Sequence, residues 1–149
     1  MIRVQREDFD LAAEFGRLAD RSGAVGGIAS FVGLVRGNAD GVQAMTLEHY
    51  AGMTERELGL IEAEARRRWT VIDVTIVHRY GRLLPGERIV FVAVAAGHRA
   101  EAFAACEFLV DWLKTKAPFW KLEDRPGGAE WVEARAEDGA RSDRWGRSP

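Results

Sequence analysis

Nine consecutive residues, Arg88 to Ala96 (RIVFVAVAA), carry no polar side chain after the first. Alternating polarity would leave one face of a strand to water, but this run is apolar on both faces and reads as a central strand of a sheet. Other segments read as its companions. Ile2 to Gln5 is a short strand. Ala24 to Val35 (AVGGIASFVGLV) is a buried strand whose glycines permit close backbone approach or a bulge. Ala44 to His49 is another. Val71 to His78 alternates, with Ile72, Val74 and Ile76 on one face and Asp73 and Thr75 on the other. Phe119 to Glu123 and Trp131 to Ala134 form a last pair around a Pro126-Gly127-Gly128 turn.

Three helices separate these strands. Asp8 to Asp20 reads as the first, with Asp8 as N-cap. Gly52 to Trp69 is the second. Thr54 and Glu57 make a capping box there, and Leu58, Ile61, Ala65 and Trp69 form an apolar stripe. The third opens at Gly97-His98-Arg99 and runs to about Lys116, with Phe103, Cys106, Leu109 or Val110 and Leu113 inward, and Pro118 stops it. Arg21-Ser22-Gly23 and Leu84 to Glu87 are turns, and Arg36 to Gly41 is a polar loop. Strands joined partly by helices and partly by tight turns indicate a single α+β domain with a mostly antiparallel sheet and three helices, over residues 1–136. Residues 137–149 read as a polar C-terminal tail, ordered only if docked.

With a net charge of -2 and a pI near 6.0, no bulk attraction to nucleic acid or to an anionic membrane is expected, so any anion site must be local. One cysteine, Cys106, excludes an intramolecular disulfide and a cysteine-based metal cluster. The N-terminus lacks an apolar signal region, and no apolar run approaches the roughly 18 residues of a membrane span. A cytoplasmic protein is expected. The metalloprotease H-E-x-x-H, C-x-x-C, P-loop and G-x-G-x-x-G patterns are all missing from the sequence.

The basic residues are distributed unevenly. Of 21, only Lys114, Lys116 and Lys121 are lysines, all within KTKAPFWK. Arginine is always charged, whereas a desolvated lysine can lose its proton and act as base or nucleophile. A plain preference of helix C-termini for cations is the competing reading. Phe119 and Trp120 add flat apolar faces that suit a planar, negatively charged heterocycle, unless they only anchor the turn. His98 and Arg99 open a helix without an Asp or Ser cap, an arrangement that fits an external anion such as phosphate. Arg36, flanked by Gly33 and Gly37, could reach a phosphate too. His49 and His78, at strand ends without acidic partners, read as structural.

Four stretches carry a resemblance: TLEHYAGMTE (Thr46 to Glu55), GERIVFVAVAAGHRAEAF (Gly86 to Phe103), DWLKTKAPFWK (Asp111 to Lys121) and WVEAR (Trp131 to Arg135). The chain resembles the large, catalytic subunit of molybdopterin synthase over most of Gly33 to Arg135. The resemblance implies an α/β hammerhead-like fold and a sulfurtransferase. Such an enzyme converts cyclic pyranopterin monophosphate into molybdopterin by installing a dithiolene. It also implies a partner, a small ubiquitin-like subunit that carries the sulfur as a thiocarboxylate on its C-terminal Gly-Gly, in a heterotetramer built on a homodimer of this chain. No metal, nucleotide or redox cofactor is implied. By matching position, Lys114 and Lys121 are catalytic, and Arg36, His98, Arg99 and Arg135 bind anion and substrate. Leu34, Val35, Leu122 and Glu123 stand among the substrate-binding positions, although Leu34 and Leu122 replace basic residues found in some members. Lys116 has no assigned role.

Arg99 and Lys114 are 15 residues apart on one expected helix, about 22 Å along its axis. A pterin monophosphate is too short to be gripped by both ends, so the resemblance and the spacing together suggest a site shared between two copies. The competing reading is a non-catalytic anion- or protein-binding homologue on the same scaffold. Intact Lys114 and Lys121 favour the enzyme.

Overall fold

The computed structural model describes residues 1–19, 23–37, 41–133 and 135–146. Expectations for Asp20, for Arg21 and Ser22 of the first turn, for the middle of the Arg36–Gly41 loop, for Ala134 and for the last three residues lie outside these.

The apolar run forms β6 (Arg88–Ala96), buried from Val90 to Ala96. It lies between β4 (Val71–Arg79) and β2 (Gly27–Leu34), antiparallel to both, with β1 (Ile2–Gln5) parallel to β4 at the edge. Successive β6 side chains serve two cores. Phe91, Ala93 and Ala95 meet Phe9 and Leu18 of the α1 (Leu11–Ala19) region. Val90, Val92, Val94 and Ala96 meet α2 (Met53–Arg68) and α3 (Arg99–Lys116). Helices on both faces leave β6 no wet side, which is why it lacks alternation. The expected close approach falls just before β2, and the bulge near its end. A Cβ on Gly26 would lie 2.0 Å from the Gly97 carbonyl oxygen, and the register slips between Gly33 and Leu34.

The remaining strands make a second sheet, where the sequence suggested one. Its antiparallel order is β5 (Gly81–Leu83), β3 (Ala44–His49), β7 (Phe119–Arg125), β8 (Gly128–Val132). Gly81, at φ +91°, lets the chain leave β4 and join this other sheet within one residue.

Several local expectations shift. Asp10, not Asp8, caps α1, its Oδ1 accepting the Ala12 and Ala13 N–H groups at 2.9 and 3.3 Å. Asp8 instead accepts two bonds from Arg88, which hold its carboxyl at a pKa of about 2. The start of α2 is at Met53, so the residue that closes its first turn is Glu55, which accepts the Gly52 N–H at 2.7 Å. Thr54 is buried and donates to the Tyr50 carbonyl oxygen. On α3 the inward face is Ala102, Ala105, Cys106, Phe108, Leu109, Trp112 and Leu113, and Phe103, one position out of phase, is 65% exposed. A bulge between Val71 and Asp73 takes Ile72 out of the ladder, while Val74 and Ile76 stay in the core.

A fourth helix, α4 (Ala136–Asp143), forms in the segment read as tail, and it is docked on α3. The buried Asp111 of α3 accepts bonds from Arg141 (3.1 Å), Arg144 (2.9 Å) and the Trp145 indole N–H (2.7 Å). The Trp145 ring meets Trp69 and Phe108 edge-on, at 5.6 and 5.7 Å between centroids. Arg68 reaches the Trp145 carbonyl oxygen from α2. Among the described residues no helix is long and apolar enough to cross a membrane.

Candidate active site

A cavity of about 690 Å³ opens where the end of α3 and the second sheet meet β2, β4 and β6. The chain brings cations to it from distant positions. Lys114 projects from the last turn of α3, one turn after Val110 on the same face, and Val110, Leu113 and Ala117 supply apolar wall beside it. Pro118 ends the helix and β7 begins at once, so strand periodicity takes over. Phe119, Lys121 and Glu123 line the cavity, whereas Trp120, Leu122 and Asp124 point to the other face. Lys114 and Lys121 therefore meet in one pocket although they sit on different elements.

Arg36 reaches the same cavity from the end of β2, together with Leu34 and Val35. Val35 is tied to the Leu84–Glu87 turn by the Val35 N–H to Glu87 oxygen bond at 2.9 Å and the Gly86 N–H to Val35 oxygen bond at 2.8 Å. Gly37 is needed for this seat, since a Cβ there would lie 2.4 Å from the Pro85 ring. The glycine beside Arg36 thus permits close approach to Pro85. Arg135, Glu137 and Asp138 close another side, carried by the start of α4.

Electrostatics set the Lys121 amine apart from one in open solvent. Burial, then the positive charge of Lys114, lowers the pKa of Lys121. Asp138 and Glu123 oppose this, and Arg135 adds to it. A lysine so placed gives up its proton more readily than one at the surface.

Of the expected site residues, Lys114, Lys121, Arg36, Arg135, Leu34, Val35 and Glu123 come together here. Leu122 does not line the cavity. It pairs with Thr46 and Trp131 across the second sheet. His98 and Arg99 are exposed at the far end of α3 and do not line it either. Lys116 stacks its amine over Trp112 at 4.9 Å, away from the cavity. His78, expected to be structural, is buried and also lines the cavity, stacking on Phe119 at 3.7 Å between ring centroids and 17° between planes. His49, also expected to be structural, packs between Tyr80 and Phe119. The exposed Trp120 packs edge-on against Tyr50 at 4.6 Å, on the side away from the cavity.

This is a small α+β protein with a paired-lysine pocket rimmed by arginines. Residues 4–116 match the model of the MoaE protein family, and the chain belongs to that family. It is 52% identical over 144 residues to the molybdopterin synthase catalytic subunit of Cereibacter sphaeroides, spanning 97% of this chain and 99% of the relative. The solved structure of a molybdopterin biosynthesis MoaE protein from Burkholderia ambifaria superposes with a TM-score of 0.85 at 57% identity, covering 99% of this chain and 98% of that one. The crystal structure of molybdopterin synthase from Staphylococcus aureus is similar at a TM-score of 0.79 and 30% identity, covering 87% and 95%.

Proposed function

We propose that this chain is the catalytic subunit of a molybdopterin synthase, transferring sulfur to cyclic pyranopterin monophosphate to build the dithiolene of molybdopterin. The observation that carries this reading is the convergence of Lys114 and Lys121, from α3 and β7, on one cavity with Arg36 and Arg135 at its edge. Family membership gives that geometry its chemistry.

Each part then has a task. The arginines hold the anionic substrate, with the planar pterin against the apolar wall beside Phe119. Sulfur arrives as the C-terminal thiocarboxylate of a small ubiquitin-like partner, whose narrow Gly-Gly tail enters the cavity. Attack by sulfur on the pterin side chain needs protons moved at the reacting atoms, and Lys121, its proton loosened by burial and by Lys114, is suited to move them. Lys114 adds positive charge where negative charge develops.

His98 and Arg99 stand a helix length from these lysines, and α3 has 18 residues, about 27 Å. In this reading a second copy of the chain lends its His98 and Arg99 to the pocket, forming the homodimer at the centre of a heterotetramer with two small subunits. Support comes from the absence of both residues from the cavity lining and from their exposure. A subunit-mixing experiment tests it. Arg99→Ala and Lys114→Ala homodimers are each expected to be inactive, and mixed dimers to regain activity at the one pocket free of both changes. Mixed dimers as inactive as either parent would contradict a shared site.

A further inference from the structure

The start of β2 lies directly against the turn that carries His98 and Arg99. β6 ends at Ala96, and the chain enters α3 through Gly97 and His98. Gly27 pairs with Ala96 across the sheet, and the Gly26 N–H donates to the Ala96 carbonyl oxygen at 2.9 Å. A Cβ on Gly26 would lie 2.0 Å from the Gly97 carbonyl oxygen and 2.9 Å from its carbon. One on Gly27 would meet the Arg99 Cα at 3.9 Å. Neither glycine has a positive φ, so the backbone at both is open to any residue. What these glycines supply is space.

We infer that Gly26 and Gly27 are positioning residues for His98 and Arg99: their missing side chains let β2 close on the Gly97–His98 junction, and that contact sets where the chain enters α3 and so where the two side chains are presented to substrate. This deepens the shared-site reading above and rests on it.

A methyl group on Gly26 must be relieved at the junction. Real Cβ atoms essentially never come nearer than 3.0 Å to such an atom, so the 2.0 Å approach has to open by about 1 Å. β2 is held in register on β6 from Gly27 to Leu34, whereas the Gly97–His98 peptide lies outside that ladder and gives way first. The shift stays local. His98 is the N-cap, with extended backbone at φ -133° and ψ 144°, and its side chain makes no capping bond. From the next turn on, α3 is fixed by the buried Ala102 and Ala105 and by Glu101, which accepts the Thr70 N–H at 3.3 Å. Strain at Gly97 therefore falls on residues 97–99, and a displacement of about 1 Å is enough to take a hydrogen bond to an anion out of range.

Subunit mixing separates this role from plain destabilisation. In the two-subunit enzyme, the Gly26→Ala homodimer is expected to raise KM for the pterin roughly tenfold, as when one charge-assisted contact is weakened, with kcat changed less than about threefold. A change that only destabilised the fold would leave the KM of the folded enzyme alone. Mixed with Lys114→Ala chains, a component with wild-type KM should return. The one pocket free of both changes takes its lysines from the Gly26→Ala chain and its His98 and Arg99 from the other. Mixed with Arg99→Ala chains, no such component should return.

A wild-type KM in the Gly26→Ala homodimer would overturn the inference. Where Arg99→Ala and Lys114→Ala restore each other, so would a wild-type KM returning with Arg99→Ala, or failing to return with Lys114→Ala. Failure of Arg99→Ala and Lys114→Ala to restore each other would count against the shared site alone, and the KM of the Gly26→Ala homodimer would then decide the role of Gly26. Should Gly26→Ala fail to fold, Gly27→Val brings branched carbons against the Arg99 backbone from the neighbouring position. The same pattern is expected of it, and a wild-type KM there would overturn the inference equally.

Discussion

Acidification from about pH 7.5 to about pH 5 should weaken the fold through His78. The sign follows from where the proton binds. In the unfolded chain His78 titrates near 6.5, and in the native protein burial holds it at about 3. Below pH 6.5 the unfolded state therefore takes up a proton that the native state refuses. The stabilisation is complete above 6.5 and is lost progressively as pH falls toward 3. Each unit in that window is worth about 1.4 kcal/mol, so at pH 5 the loss is about 2 kcal/mol. Asp8 and Glu64 also titrate low in the native protein, each at about 2, mainly because of bonds from Arg88 and Arg67 respectively. Their windows open only below their ordinary values of 3.8 and 4.5, so the interval above pH 5 isolates the histidine. Urea unfolding of wild type and His78→Gln at both pH values measures the effect. Wild type should lose about 2 kcal/mol more than the variant between the two conditions. Equal pH dependence in the two proteins would refute the claim that His78 is held neutral by burial.

Three other perturbations test separate parts of the structure. Asp111→Ala removes the acceptor shared by Arg141, Arg144 and Trp145. It should cost about 2–3 kcal/mol and speed hydrogen exchange in α4 ahead of the rest of the chain; uniform exchange would show that α4 is held by something else. Gly26→Ala drives a methyl into the Gly97 carbonyl, and a loss of about 2 kcal/mol or more is expected in thermal or urea unfolding. Lys121→Arg keeps a cation but cannot release its proton near neutral pH, so kcat should fall about as far as in Lys121→Ala, on the order of a hundredfold. Near-normal activity in Lys121→Arg would assign Lys121 to charge alone.

The parts legible in the sequence are those set by neighbours along the chain. β6 was readable because burial on both faces leaves a continuous apolar run, and α2 because its stripe repeats over several turns. Ends were less readable, since a cap is a choice between single residues: Asp10 rather than Asp8, Gly52 with Glu55 rather than Thr54 with Glu57. Phe103 was misjudged by one step of helical phase, a difference decided only by where α3 lies on the sheet. The division into two sheets is a matter of which strands pair, β3 with β7 and β7 with β8 rather than with the first sheet, and the pattern within a strand does not name its partner. Helix α4 looks like a solvated tail because its anchor, Asp111, belongs to another helix.

The candidate site divides in the same way. Lys114, Lys121 and Arg36 stood out by type and spacing, and a resemblance carried over long motifs gave them roles. His78 was invisible because nothing local distinguishes it from any histidine at the end of a strand. Only the stack against Phe119, from the other sheet, turns it into a wall of the pocket. The distance between Arg99 and Lys114 was legible from helix length alone, and α3 does run unbroken between them.

Turnover tests the sulfur-transfer reading most directly. The purified chain, combined with a thiocarboxylated small subunit and cyclic pyranopterin monophosphate, should form the dithiolene product. Lys114→Ala and Lys121→Ala should each slow it by on the order of a hundredfold or more while the small subunit still binds. No product from wild type, or wild-type rates from both variants, would contradict the claim that these two lysines form the active centre.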